Sequence, residues 1–228
     1  MNKTTSLTEQ ESIDIITSMI QNVKASYHER GTAAILWGTV IAIASLLTFI
    51  SIEFKINLPF EPFLLSLIAV IFQFYISNKE KKENRVTKFE DAALNTVWLS
   101  FAISILGLTV YLNIIPYSTA ELAKQEGWQF IKHYVDGSKP DEQLKPFAPS
   151  SYSLYILLYA FPTLVTGITK KSTSLTVGAV ITYVLFMVSC YTSSKYDMLL
   201  GALAAIICWL IPGLILRRKY LQQKNKHV

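Results

Sequence analysis

Residues Gly31–Ile52 read GTAAILWGTVIAIASLLTFISI, and this stretch decides the fold class. Its 22 residues, all apolar or small, contain no Asp, Glu, Lys or Arg. A helix crossing the hydrocarbon core of a bilayer takes roughly 20 such residues. Working outward, five more apolar stretches follow: Phe60–Ser77, Leu94–Ile115, Ser151–Thr169, Leu175–Tyr191 and Met198–Leu216. The expectation is an all-α protein, a polytopic six-transmembrane-helix bundle with an N-terminal cytoplasmic amphipathic helix. The second stretch is the weakest: Pro59 and Pro62 bracket Phe60 and Glu61 at its entry. Proline has no N–H and restricts the residue before it, so this segment reads as a turn into a helix.

The composition agrees. Charged residues make up 16% of the 228 and apolar ones 51%, against about 25% charged in an ordinary soluble domain. The net charge of +5 reads as membrane topology rather than affinity for nucleic acid, because Lys and Arg accumulate in short cytoplasmic loops. Residues 78–91 hold Lys79, Lys81, Lys82, Arg85 and Lys88. Lys170 and Lys171 separate spans four and five, and the tail holds Arg217, Arg218, Lys219, Lys224 and Lys226. With six spans these segments share one side, which places both termini in the cytoplasm. The chain then divides into a helix over 1–30, a membrane domain over 31–216 with an extracytoplasmic loop at 116–150, and a basic tail over 217–228. The polar opening MNKTTSLTEQES does not resemble a cleaved signal, so the first span is expected to direct insertion. A bacterial inner membrane is the expected location.

Within 8–29, Thr8 and Glu11 have the spacing of a capping box. Ile13, Ile16, Ile20, Val23 and Tyr27 then recur every three or four residues, an apolar stripe that needs a partner. That partner is the membrane domain of the same chain, a second copy or the bilayer surface. The polar face carries Glu9, Glu11, Asp14, Lys24 and Glu29, and is less cationic than that of a surface-bound helix, which favours protein. On span one, Ala34, Gly38 and Ala42 recur every fourth residue. Small residues at this spacing let helices approach closely in lipid, either within the chain or between copies.

Other features bear on a solute path. Ser100 and Ser104 lie on span three, Thr182 and Tyr183 on span five, and Pro162 and Pro212 inside spans four and six. Hydroxyls can bond their own helix or line a wet passage, and prolines can kink helices to open one. Asp197 stands at the start of span six, where a helix dipole favours a negative charge. In the 116–150 loop, Ser118 and Glu121 predict the start of a separate short amphipathic helix using Leu122, Ala123, Phe130, Ile131 and Tyr134.

The sequence presents no metalloprotease, phosphate-loop or nucleophile-elbow motif. His28 and His133 are predicted on opposite sides of the membrane, and Cys190 and Cys208 read as small packing residues. No catalytic residue, cofactor-binding residue or metal ligand is therefore expected. The leading expectation is a non-enzymatic integral membrane binding, regulatory or structural protein, homodimeric or paired with a membrane partner protein. Its partner-binding residues would be Ile13, Ile16, Ile20, Val23, Ala34, Gly38 and Ala42. The alternative is a small transporter or channel-like protein for a neutral or apolar solute. Its route would run past Ser100, Ser104, Pro162, Thr182, Tyr183 and Pro212. A small ligand at the external loop is a third element of this reading, and no nucleic acid is expected.

Overall fold

The computed structural model describes residues 31–83, 89–144 and 152–225. The helix expected over 1–30, with Ile13, Ile16, Ile20 and Val23, lies outside the described residues.

The described chain is helical apart from one small hairpin. Helix α1 spans Thr32–Phe54. A 3₁₀ turn at Pro62–Leu64 leads into α2, Leu65–Glu83. Helix α3 runs over Phe89–Gln125, α4 over Ser153–Thr169 and α5 over Thr173–Ser189. The last rod is α6, Ser194–Ala205, a π-helical turn at Ile206–Leu210, and α7, Ile211–Lys224. Four segments are long and apolar enough to cross a membrane: Thr32–Phe54, Pro62–Glu80, Ala92–Gln125 and Ser194–Gln222. Helices α4 and α5 are apolar but shorter, at 17 residues each.

Small side chains set the packing. Helix α1 buries Gly38, Ile41, Ala42 and Ser45, one face at intervals of three and four. This face lies against the last rod. A Cβ on Gly38 would stand 2.5 Å from the Leu210 nitrogen, and one on Gly213 would stand 3.1 Å from the Ala34 Cβ. Helices α4 and α5 form an antiparallel hairpin in which a Cβ on Gly167 would meet Thr176 at 2.7 Å. Helix α2 is tied to α1 by Trp37 Nε1–H donating to Gln73 Oε1 at 3.2 Å. Helix α3 docks on α4 through Trp98, in its first third, and Thr109, near its middle.

These pairings run antiparallel. Trp98 meets Thr166 while Thr109, farther along α3, meets Tyr155, earlier on α4. Gly31 meets Gly213, Gly38 meets Leu210 and Ser45 meets Gly201, so α1 and the last rod also run in opposite directions. One end of the bundle gathers the α1 end, the α4 start and the α6 start, where Lys195 Nζ pairs with Glu53 Oε2 at 2.8 Å. The opposite end gathers Thr32, Lys79 and Arg217.

The distribution of side chains is that of a protein dissolved in lipid. Ala44, Ala160, Thr163, Ala179, Thr182, Ala204 and Ala205 are fully buried, whereas Leu67, Ile71, Phe74, Leu99, Ile103 and Leu106 are more than half exposed. In water such a contiguous apolar exterior would drive aggregation; in lipid, close packing of small residues supplies the association.

The helix expected to begin anew at Ser118 does not form. Helix α3 passes through Pro116 and continues to Gln125. Ser118 Oγ donates back to the Ile115 carbonyl at 3.2 Å instead of capping a new start. At 1.5 Å per residue, the 37 residues of α3 extend about 55 Å, well beyond a hydrocarbon core of about 30 Å. Its far end therefore projects out of any bilayer it crosses. Phe130 and Ile131 belong to the hairpin: β1, Ile131–Lys132, pairs antiparallel with β2, Glu142–Gln143. In the turn between them, the Ser138 N–H donates to Asp136 Oδ1 at 3.1 Å and holds that carboxyl below its ordinary range. The basic residues after Leu216 are helical at their start, because α7 runs through them to Lys224.

Candidate functional site

The chemistry of the bundle is concentrated at two places along the last rod. The first is the π turn. Pro212 has no N–H to give the carbonyl of Cys208, its usual partner four residues back. The Ile211 N–H reaches five residues back, to the Ile206 carbonyl. In a regular α-helix that donor would serve Ile207. The widened turn thus accommodates the proline and releases the Ile207 carbonyl from its helical partner, a defect of the kind that recurs at functional sites. The released oxygen faces α5, where a Cβ on Gly178 would be 2.6 Å away.

Around this turn lies a shell of aromatic rings and threonines. Trp209 Nε1–H donates to Thr163 Oγ1 at 2.8 Å, and Trp98 Nε1–H donates to Thr166 Oγ1 at 3.1 Å. The two threonines lie one turn apart on α4 and pass their own protons to the carbonyls of Tyr159 and Pro162. The buried Trp209 and the half-buried Trp98 each have an acceptor for the indole N–H, and each acceptor is held by its own backbone. The Trp209 ring packs on Tyr159, with centroids 4.8 Å apart, and Phe101 meets both edge-on. Cys208 is buried in this shell with its Sγ 3.7 Å from the Tyr159 carbonyl.

The second place is the start of α6. Asp197 has no exposed surface. One carboxyl oxygen accepts Thr192 Oγ1–H at 2.7 Å, while Oδ2 has no hydrogen-bond partner. The Ser153 hydroxyl at the start of α4 faces this carboxyl as a donor, without a well-formed hydrogen bond to it. Two complementary polar atoms are thus buried side by side, joined across α4, α6 and the turn after α5. The Glu53–Lys195 pair lies nearby on the surface, with both side chains roughly one-third exposed.

The residues singled out from the sequence are dispersed. Ala34, Gly38 and Ala42 face the last rod of the same chain, so the face expected to be available to a partner is covered within the bundle. The physical reason is the crossing distance: only residues this small admit Leu210 and Gly213 against α1. Of the transport set, Pro162, Thr182 and Pro212 are buried, and Tyr183 is half-buried. Thr182 Oγ1 bonds the Gly178 carbonyl of its own helix. Ser100 and Ser104 lie on the exterior of α3, so the six do not line one route. Ser104 Oγ donates to the Ser100 carbonyl.

Sequence reasoning did not single out Thr163, Thr166, Trp98, Trp209 or Ser153. In the sequence Thr163 and Thr166 lie far from Trp98 and Trp209, so no local signal pairs them. The partnership itself required knowing which helices touch. Among the described residues, no group of three or more His, Cys, Asp or Glu side chains is placed to hold a metal ion. Comparison with family models, with curated proteins and with solved structures finds no match.

Proposed function

We propose that this chain is a non-enzymatic integral membrane binding module that crosses the bilayer six times, with both termini on the cytoplasmic side, and that pairs with a second copy through α3. The six-span reading rests on the antiparallel pairing of α1 through the last rod. At 17 residues, α4 and α5 are at the lower limit for a spanning helix, about 17–25 residues. The basic residues at the Lys79–Arg217 end support that end as the cytoplasmic one. A bacterial inner membrane is the membrane we assign.

One observation carries the pairing. Helix α3 presents Trp98, Phe101, Ile105 and Thr109 to the bundle, and its opposite face carries Thr96, Ser100, Ile103 and Gly107. A side chain at Gly107 would touch nothing within 4 Å. An exterior that is small and hydroxylated at Thr96, Ser100 and Gly107 is suited to close approach of a second helix. Single cysteines at Ser100 and Gly107, oxidised in native membranes, test this in a background lacking Cys190 and Cys208. Disulfide-linked dimers from both sites, and none from Leu108 on the neighbouring face, are expected. Monomer at every site would refute pairing through α3. Reporter fusions after residues 55, 84, 140, 171 and 192 separately test the six crossings.

The transporter reading retains one supporting observation, the released Ile207 carbonyl beside Pro212. On that reading the π turn shifts as a neutral or apolar solute passes between α5 and the last rod. Loss of uptake in Pro212→Ala, with insertion intact, would favour it over the binding module.

A further inference from the structure

We propose that the crevice between the start of α1, the end of α2 and α7 binds the phosphate of an anionic phospholipid. The crevice holds about 200 Å³ and is lined by Thr32, Tyr75, Ile76, Lys79, Glu80 and Arg217. Lys79 projects from α2 and Arg217 from α7, so two helices distant in sequence bring a cation each to one small volume. Neither makes an ion pair among the described residues. Glu80 also borders the crevice, but it is engaged in an interaction of its own. Arg217 is half-buried and its guanidinium stands 5.8 Å from the Tyr220 ring centroid, which restrains it. A planar guanidinium held in this way can present paired N–H donors to phosphate oxygens, with Lys79 acting as a point charge. Thr32 adds a hydroxyl at the start of α1, where the first-turn N–H groups have no partner within the helix.

The surroundings identify the phosphate as that of a lipid. Ile68, Ile71, Phe72 and Tyr75 lie on one exposed face of α2, at intervals of three and four. This stripe runs along the apolar segment and ends at Tyr75, which borders the crevice. An acyl chain lying on it brings its headgroup to Lys79 and Arg217. A free phosphate would gain nothing from the stripe. Basic recesses between membrane helices are suited to anionic headgroups because each nearby Lys or Arg adds attraction at the membrane surface.

The test uses the full-length protein, purified in detergent and titrated with phosphatidylglycerol or phosphatidylcholine of matched chains, with bound lipid counted by native mass spectrometry. Phosphatidylglycerol should be retained preferentially, and Lys79→Gln should weaken that retention about fivefold. Lys79 is exposed, so this variant is expected to fold, and Lys79→Arg should restore retention. Arg218→Gln, exposed and outside the crevice, should leave retention unchanged. The proposal is overturned if the wild type retains both lipids equally, or if Arg218→Gln weakens binding as much as Lys79→Gln, the mark of diffuse attraction. Displacement of the lipid by excess inorganic phosphate would also overturn it, because the site would then recognise the free anion.

Discussion

Gly178 and Ile207 meet with no side chain between them: a Cβ on Gly178 would lie 2.6 Å from the Ile207 carbonyl oxygen. That oxygen is directed at α5 because Ile211 bonds to Ile206 instead and Pro212 carries no N–H. The absence of a side chain at 178 and the absence of an N–H at 212 are therefore parts of one arrangement. The glycine gives the carbonyl room, and a Cα–H beside it offers a weak donor.

Gly178→Ala should accordingly destabilise the bundle by about 1–3 kcal/mol through overpacking against backbone that cannot yield. Gly201→Ala is the control, since its Cβ would meet only Ser45 Oγ at 3.7 Å, an ordinary van der Waals contact, and it should be neutral or stabilising by up to about 1 kcal/mol from helix propensity. Thermal unfolding of both variants in the same detergent compares them directly. Equal stability would show that the α5 crossing tolerates a methyl group.

The fully buried Thr163 accepts the Trp209 indole N–H on its Oγ1 at 2.8 Å. Thr163→Val preserves shape and leaves that N–H unpaired, at a cost of about 1–3 kcal/mol. Thr163→Ser keeps the oxygen and should recover most of the loss. If Val and Ser variants unfold together, the hydroxyl is not what holds Trp209.

Asp197 makes a prediction that runs against charge conservation. In Asp197→Asn, the amide oxygen can still accept from Thr192, and the amide nitrogen can donate to the Ser153 oxygen. The substitution thus keeps a polar partner for both Thr192 and Ser153. Stability should hold within about 0.5 kcal/mol or rise, because a buried carboxylate without a cation is replaced by a neutral group. Asp197→Leu, which removes the carboxyl acceptor of Thr192 and the polar neighbour of Ser153 and leaves Thr192 only the Ser189 carbonyl, should lose about 2 kcal/mol. Chemical denaturation of the two variants distinguishes these outcomes; an Asn variant as unstable as the Leu variant would require an ionised carboxylate.

The two cysteines should differ in reactivity. Cys190 is exposed at the end of α5 and Cys208 is buried against Tyr159. A membrane-permeant maleimide should label Cys190→Ser protein only after unfolding, and Cys208→Ser protein while folded. Mass shifts before and after denaturant read this out. Prompt labelling at Cys208 would reveal opening of the π turn on the labelling timescale.

Sequence legibility followed chemical range. The helices at Thr32–Phe54 and Ser194–Gln222 were readable because each presents its own long apolar run. The proline entry to α2 was readable because Pro62 fixes local backbone. The end of α3 was misjudged at Ser118: capping spacing is a local signal, and it yields where the preceding helix continues and the hydroxyl bonds backward to Ile115. Ala34, Gly38 and Ala42 were recognised as a contact face, but their spacing is the same whether the neighbour is another copy or another part of the chain.

By itself, the sequence determined that the chain is helical and has long segments suited to lipid, because apolar length and the need to satisfy backbone groups act residue by residue. The tertiary structure decided that Gly38 meets Leu210 and Gly178 meets Ile207. It also decided that Trp98 and Trp209 share one ladder of threonines, and that Asp197 faces Ser153. Those relationships depend on the crossing positions of helices far apart in the chain. Small residues permit many crossings; only the packed set of helices selects one.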